Sequence, residues 1–315
     1  MTTSKILLTT SRILNLQTDS PSEQKQHDNS LPACTLKWRR GQLLVRCLEQ
    51  MGQLYLPSLE SEQWLLDCLK RSPVRLICID PNLGETGLSF WADASEQANK
   101  KVFLKVPSSF ALSRKCSSLS WWLKRVLDWS VAALLLLLLS PVMLGLMLLI
   151  RICSPGPVFF RQWRIGERGK LFRIIKFHTM IVDAEKLHHQ VMANQKGLHK
   201  REDDPRITPL GRWMRKYSLD ELPQLVNVLR GEMSLVGPRP WALYDAVRIS
   251  REGQKRLNAL PGITGNWQVK ARSNQLDIEA VNHCDLEYLH TWSLWEDLKL
   301  LLLTVPKVFS GFGAY

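Results

Sequence analysis

Apolar residues are unevenly distributed along this chain, and their spacing predicts its elements. Gln17 to Pro32 is almost wholly polar and reads as a flexible linker. From about Thr35 the pattern becomes globular. The run RLICID (Arg75–Asp80) is a buried-strand signal, a helix-compatible stretch spans Gly87–Ala98, and KVFLKV (Lys101–Val106) reads as a second strand. Strand, helix and strand in so short a space predict a βαβ unit, with Leu59–Lys70 as a helix before it. The segment Pro107–Ser120 reads as a Ser-rich connector.

The strongest signal follows. Trp129 to Ile150 (WSVAALLLLLLSPVMLGLMLLI) carries no charge, and as one helix it spans roughly 33 Å at ~1.5 Å per residue, enough to cross a bilayer. Ser140 and Pro141 lie at its midpoint, where proline removes a helical hydrogen bond and predicts a kink. Basic residues stand on both sides: Lys115, Lys124 and Arg125 before it, and Arg151, Arg161, Arg164 and Arg168 after it. Basic flanks mark the cytoplasmic side. A re-entrant helix-break-helix over residues 121–152, entering and leaving one leaflet, satisfies both flanks, and a single straight span satisfies only one. Beyond it, VFFRQWRIGERGKLFRIIKF (Val158–Phe177) predicts two strands around a GERG turn, and Val182–Gln195 predicts a helix. The apolar stretch Ser293–Phe309 fits either a core helix or an interfacial one.

The expected fold is α+β. Residues 1–34 form a disordered segment or linker, 35–112 a small α/β domain, and 119–315 a compact helical and hairpin domain behind the re-entrant helix. The small domain carries no glycine-rich phosphate fingerprint, because PNLGETG lacks the GxGxxG spacing. A regulatory or protein-contact role and a packing role are both open for it.

Charge narrows the partners. Lys and Arg total 42 against 29 Asp and Glu, a formal net charge of +13, which favours nucleic acid, an acidic membrane surface or phosphorylated substrates. No helix-turn-helix, RNP or zinc pattern supports nucleic acid. The seven cysteines form no CxxC pair and read as reduced cytoplasmic thiols. The N-terminal MTTSKILLTT has too short an apolar run for a signal peptide. His188, His189 and His199 make no metal pattern.

The candidate chemistry lies in DPRITPLGRWMRKYSLDELPQLVNVLRGEMSLVGPRP, from Asp204 to Pro240. Ser218 followed by Glu221 reads as a capping box, which places Asp220 and Glu221 in the first turn of a helix. The dipole and free N–H groups there predict that both carboxylates stay ionised. That suits a nucleophile and a metal ligand better than a general acid. Acidic first-turn residues are also ordinary stability devices. Arg206, Arg212, Arg215 and Arg239 surround the pair in sequence, and Arg239 sits between Pro238 and Pro240 in a stiff loop. Guanidinium forks bind phosphate oxygens, so a diphosphate site and a surface salt-bridge network are both compatible with this set.

Taken together, LLSPV, SPGPVFFRQWRIG, KFHTM, the Asp204–Pro240 stretch, PGITGNWQV, ARS and the terminal GFGAY resemble the monotopic phosphoglycosyl transferases, or bacterial sugar transferases, from about Leu119 to Tyr315. The resemblance implies a UDP-sugar donor and an undecaprenyl phosphate acceptor at the cytoplasmic face of the inner (plasma) membrane. The reaction would initiate polysaccharide or glycolipid assembly. Asp220 matches the nucleophile that releases UMP, and Glu221 matches the residue that helps hold Mg²⁺. Lys176, Arg215, Arg239 and Arg272 match positions linked to phosphate or nucleotide contact. Asp285 and Asp297 match acidic positions, and Ser140–Pro141 matches the helix breaker. Two departures stand out: His178 replaces the usual arginine of KFRTM, and Ala271 replaces a usual glycine before Arg272. A homo-oligomer stays open. The competing readings are a basic, membrane-tethered binding or regulatory protein without transferase activity, and a metal-dependent glycosyltransferase, which the lack of a DxD motif disfavours.

Overall fold

The computed structural model describes residues 34–47, 62–106, 118–184, 187, 204–248, 250, 252–270 and 277–310. The chain divides into two compact units, Met1–Lys105 and Val106–Tyr315. The expected linker, most of the expected Val182–Gln195 helix, Lys115, the three histidines His188, His189 and His199, Ala271, Arg272 and the terminal GFGAY lie outside the described residues.

In the first unit, β1 (Cys34–Arg39) and β2 (Gln42–Cys47) form an antiparallel hairpin. Arg40 and Gly41 both take positive φ, 47° and 77°, the backbone that a two-residue hairpin turn needs to match strand twist. After α1 (Glu62–Arg71), the run β3 (Leu76–Ile79), α2 (Gly84–Gln97) and β4 (Lys101–Leu104) is the expected βαβ unit. β3 pairs in parallel with both β2 and β4, giving the order β1-β2-β3-β4. Alternate strand residues Leu43, Val45, Ile77, Ile79, Val102 and Leu104 are buried, as are Leu88, Trp91 and Ala92 of α2. That is the alternation of a sheet with one covered face.

The second unit opens with α3 (Ser118–Cys153), the one helix among the described residues long and apolar enough to cross a membrane. The interruption expected at Ser140–Pro141 does not appear as a break, because α3 runs through both residues. The local chemistry explains how. Pro141 has no N–H to donate to Leu137 O, four residues back. Ser140 Oγ donates to that same carbonyl at 2.8 Å, so the serine repairs the vacancy its neighbour creates.

Both ends of α3 pack on the same unit. Near its start, Lys124 Nζ donates to Asp297 Oδ2 at 2.6 Å and to Val236 O at 3.1 Å. Asp128 accepts from Ser234 Oγ at 2.8 Å and from Leu235 N at 3.2 Å. Arg125 donates to Met233 O at 3.0 Å. Near its end, Met143, Leu146 and Ile150 cluster with Phe177 and Met214. Between the two, Leu137 and Leu138 are 73% and 63% exposed. Of the basic residues read as membrane flanks, Lys124, Arg125 and Arg164 are therefore turned into the protein, while Arg151, Arg161 and Arg168 remain on the surface.

The hairpin β5 (Phe159–Ile165) and β6 (Leu171–Phe177) follows, with β8 (Trp241–Ala242) on its other edge. The short helices α4 (Pro209–Lys216) and α5 (Gln224–Leu229) come between, and β7 (Ser234–Val236) pairs in parallel with β9 (Gly262–Thr264). Leu243–Ala246 (α6), Asn266–Lys270 (α7), Ile278–Thr291 (α8) and Leu294–Ser310 (α9) complete the unit. The core joins Ala132 of α3 to Phe172, Ile174, Leu225, Val228, Met233, Val236 and Leu300.

The Lys124–Asp297 pair is buried, and removing one partner of such a pair leaves an uncompensated charge. Lys124→Met is expected to destabilise the second unit by about 3 kcal/mol, and Lys124→Met combined with Asp297→Asn to recover part of that loss. Thermal melting of the full chain in lipid nanodiscs measures both.

Candidate active site

The dyad segment differs from its sequence expectation in two ways. Asp220 and Glu221 do not open an α-helix. They sit in a 3₁₀ turn, Leu219–Glu221, and α5 begins only after Pro223. Ser218 makes no capping-box hydrogen bond, because its backbone is left-handed at φ 53°, a geometry outside the N-cap range. The turn closes instead through Glu221 N to Ser218 O at 3.2 Å and Leu222 N to Leu219 O at 3.3 Å. Asp220 is also not held at low pKa by a helix dipole. It is buried, and burial pushes its carboxyl above the ordinary aspartate value, with the Glu221 charge adding to the rise while Lys176 and Arg215 oppose it.

Three elements bring cations to this turn. β6 carries Lys176, whose Nζ donates to Glu221 Oε1 at 2.7 Å. The edge of β6 is fixed by the fully buried Asn227 of α5, whose Oδ1 accepts from Ile175 N at 3.0 Å and whose Nδ2 donates to Arg173 O at 2.8 Å. α4 supplies Arg215, whose Nε donates to Thr179 Oγ1 at 2.9 Å. Its start is set by Thr208, which caps Gly211 N at 3.0 Å with Pro209 in the first turn. Gly211 is needed there, because a Cβ would overlap the Thr179 carbonyl.

The third element is the Pro238–Arg239–Pro240 loop. It leaves β7 through Gly237, which packs backbone to backbone against Gly262 and Gly265: Gly237 N donates to Thr264 O and Gly262 N to Pro238 O, both at 2.9 Å. A Cβ on any of these three glycines would overlap main-chain atoms of the opposite segment. Behind the loop, the buried Arg256 donates to Arg239 O and Asn282 Oδ1, pairs with Asp285, and stacks its guanidinium over Trp241. Asp285 also accepts from Arg239 N at 3.3 Å. The Arg239 guanidinium lies 5.1 Å from the Trp267 ring centre.

A polar cleft results, lined by Arg164, Lys176, Glu221, Gln224, Arg239 and Gln268, with Ile174, Pro240, Gly262 and Ile263. Three cations against one carboxylate at its wall suit a multiply charged anion. Of the predicted residues, Lys176, Glu221 and Arg239 meet in this cleft, with Asp220 and Arg215 close enough to act on one another's charge. Arg206 is not at the wall; it is buried in an ion pair with Asp204. Asp285 positions the Arg239 loop, and Asp297 ties α9 to α3, accepting also from Tyr288 Oη at 2.6 Å. His178 stacks on Phe160, and burial holds its imidazole below the ordinary value.

Sequence reasoning missed four residues. Arg164, Gln224 and Gln268 line the cleft, and Arg256 braces its loop. Arg164 was legible only through the pairing of Arg164 with Ala242, next to the Pro-Arg-Pro segment. Arg256 sits in an unremarkable basic run and gave no signal.

Residues 119–311 match the model of the family described as bacterial sugar transferase. The chain belongs to the bacterial sugar transferase family. It is 44% identical over 200 residues to the UDP-glucose:undecaprenyl-phosphate glucose-1-phosphate transferase of Caulobacter vibrioides, covering 61% of this chain and 72% of that protein. It is 43% identical over 194 residues to the galactosyl transferase CpsE of Streptococcus agalactiae, covering 61% of this chain and 43% of that protein. With an Escherichia coli protein of the same name as the Caulobacter relative, the figures are 42% over 201 residues, 61% and 41%. The chain thus spans less than half the length of two of these relatives. In this member of the family the matched region begins at α3 and holds the whole cleft.

Because Gly262 lies against the Gly237 backbone, Gly262→Ala is expected to part β7 from β9 and cost about 1–3 kcal/mol, as overpacking does. Thermal melting, with hydrogen exchange over Val236–Pro240, measures the loss.

Proposed function

We propose that the protein transfers a sugar 1-phosphate from a UDP-sugar to undecaprenyl phosphate with release of UMP, as the first membrane-bound step of a polysaccharide or glycolipid. The observation that carries this reading is the convergence of Asp220 and Glu221 with Lys176, Arg215 and Arg239 around one cationic cleft. Two of the relatives above are named as transferases of this kind, with glucose as the sugar.

In the proposed reaction an Asp220 carboxylate oxygen attacks the sugar-proximal phosphorus. The new O–P bond forms as the bond from that phosphorus to the bridging oxygen breaks, and UMP leaves with the electron pair. The lipid phosphate oxygen then attacks the same phosphorus and expels the Asp220 carboxylate. Arg239, Lys176 and Arg164 hold the phosphate charge, which is the main demand of phosphoryl transfer. Lys176 also opposes the burial penalty on Asp220 and keeps it ionisable.

Asp220 and Glu221 would hold Mg²⁺. Among the described residues no set of three His, Cys, Asp or Glu side chains gathers. A pair of carboxylates suits Mg²⁺, which takes one or two of them with substrate phosphates and water. When bound, the ion neutralises phosphate charge.

The membrane reading rests on α3. A helix that crossed the bilayer would carry one end away from the catalytic unit, whereas both ends of α3 pack on that unit. This supports a re-entrant helix whose apolar middle dips into the cytoplasmic leaflet.

UMP release from a panel of UDP-sugars, with undecaprenyl phosphate present, tests the reaction. UMP from at least one sugar is expected, UDP would point to glycosidic transfer, and no nucleotide product would point to a binding protein. Asp220→Asn is expected to abolish the covalent intermediate, and turnover in that variant would remove Asp220 from the nucleophile role. Asp220 must be ionised to attack, so activity should fall on acidification at a pH above the ordinary aspartate range. Lys176→Gln removes a charge that favours the carboxylate and should move that acid limb to higher pH in the kcat/KM profile.

A further inference from the structure

No CxxC spacing occurs in the chain, and Cys34 and Cys47 stand well apart in sequence. The hairpin of the first unit brings them face to face. Cys34 opens β1, Cys47 closes β2, and each is the other's partner in the antiparallel register. Opposed residues in such a pair alternate between hydrogen-bonded and non-hydrogen-bonded sites, and the second kind stand closer. Two observations fix which kind this is. The two-residue Arg40–Gly41 turn makes Arg39 and Gln42 a hydrogen-bonded pair, and alternation outward from it puts Cys34 and Cys47 at a non-hydrogen-bonded site. Val45 gives the same phase, because its carbonyl accepts from Asp80 N on the β3 side and so points away from β1. At such a site the Cα atoms stand ~4.5 Å apart with both side chains on one face, inside the ~4.4–6.8 Å that a disulfide spans.

The other described cysteines are not placed this way. Cys78 of β3 pairs with Leu44 and therefore points to the opposite face of the sheet. Cys68 is exposed on α1, and Cys153 and Cys284 belong to the second unit. Within the pair the two thiols are unequal. Cys34 is 3% exposed and Cys47 is half-buried. Burial pushes the Cys34 thiol up to about 11, against the lowering effect of the Trp91 side chain and with a further rise from Cys47.

We propose that Cys34 and Cys47 form a reversible thiol–disulfide site that staples the edge strand β1 to β2, with a small disulfide of the glutathione class as oxidant. Cys47, the accessible sulfur, reacts first. Its thiolate attacks one sulfur of the oxidant, forms a mixed disulfide and expels one small thiolate. Cys34 then gives up its proton and attacks the Cys47 sulfur, and the second small thiolate leaves as the protein S–S bond closes. The two cysteines lose two electrons and two protons, and the oxidant gains both as two thiols. A thiol of high pKa completes the second step because its target is held beside it and the attack is intramolecular. The bond closes a loop of about 14 residues and removes its open conformations. β1 pairs on one side only, so its hydrogen bonds are among the first to open. The turn holds one end of β1 and the disulfide holds the other. Cytoplasmic thiol pools reverse the bond.

The test treats the full-length protein in native-lipid membranes with oxidised glutathione, blocks the remaining thiols with N-ethylmaleimide and reads the peptides by mass spectrometry. The Cys34 and Cys47 peptides are expected joined, two hydrogens lighter than their sum, and separated again by dithiothreitol. Amide exchange over Thr35–Arg39 is expected to slow by about a hundredfold on oxidation. Both cysteines recovered with N-ethylmaleimide would overturn the proposal, as would a glutathione adduct on Cys47 that never resolves or a link from either residue to Cys78. A Cys34–Cys47 link with unchanged exchange would overturn the stapling role. Cys34→Ser is expected to trap the glutathione adduct on Cys47, and Cys47→Ser to leave Cys34 unmodified. An adduct on Cys34 in the second variant would overturn the order of attack, and the wild-type peptides decide the proposal even where a variant fails to fold.

Discussion

The second unit depends on a place where two backbones touch with nothing between them. β7 and β9 run in parallel, and where they end, Gly237 meets Gly262 and Gly265 at a distance that excludes any side chain. That approach decides where the chain goes next. Pro238 and Pro240 fix φ on either side of Arg239, so a loop launched from the right point with little freedom delivers its guanidinium to the cleft wall. Arg256 and Asp285 then grip the loop main chain from behind, one at a carbonyl and the other at an N–H. Each interaction is modest in isolation. Together they hold a cation in place without using its charge.

The dyad shows the balance between burial and charge. Asp220 is nearly removed from solvent, which disfavours its ionised form, and a second carboxylate stands beside it. Lys176 and Arg215 offset this without fully reversing it. For the proposed role of Asp220 this balance matters, because a buried carboxylate with fewer water partners is a stronger nucleophile than a solvated one, provided that nearby cations keep it charged. The 3₁₀ turn serves this arrangement, because it points Asp220 inward and leaves Glu221 at the cleft wall with Lys176.

Much of this was legible in the sequence because the signals were local. The βαβ unit of the small domain, the GERG hairpin and the apolar helix follow from periodicity and turn residues, and the family motifs followed from their order. What was not legible depended on tertiary contact. The SxxE spacing at Ser218 imitates a capping box, but Ser218 is forced left-handed where α4 ends and the dyad turn starts. Arg206 resembled a phosphate ligand until Asp204, two residues earlier, claimed it. Lys124 and Arg125 counted as membrane flanks by composition and proved to be partners of Asp297, Asp128 and Met233 O. For Lys124 the deciding partner lay elsewhere in the fold, whereas for Arg206 it stood two residues away.

The carbonyl of Val236 accepts from Lys124 of the apolar helix, and the hydroxyl oxygens of Tyr288 of α8 and Ser234 of its own strand lie 3.3 and 2.9 Å from it. The strand it ends leads directly into the Arg239 loop. A membrane anchor is often regarded as a tether that can be trimmed to yield a soluble enzyme, and here that operation has no clean cutting point. Deleting the chain before Ser154 would strip Lys124 from Asp297, Asp128 from Ser234 and Leu235, and Ala132 from the core. The remaining fragment would carry buried groups without partners beside the Arg239 loop, so the apolar helix is part of the fold of this unit and not an appendage to it.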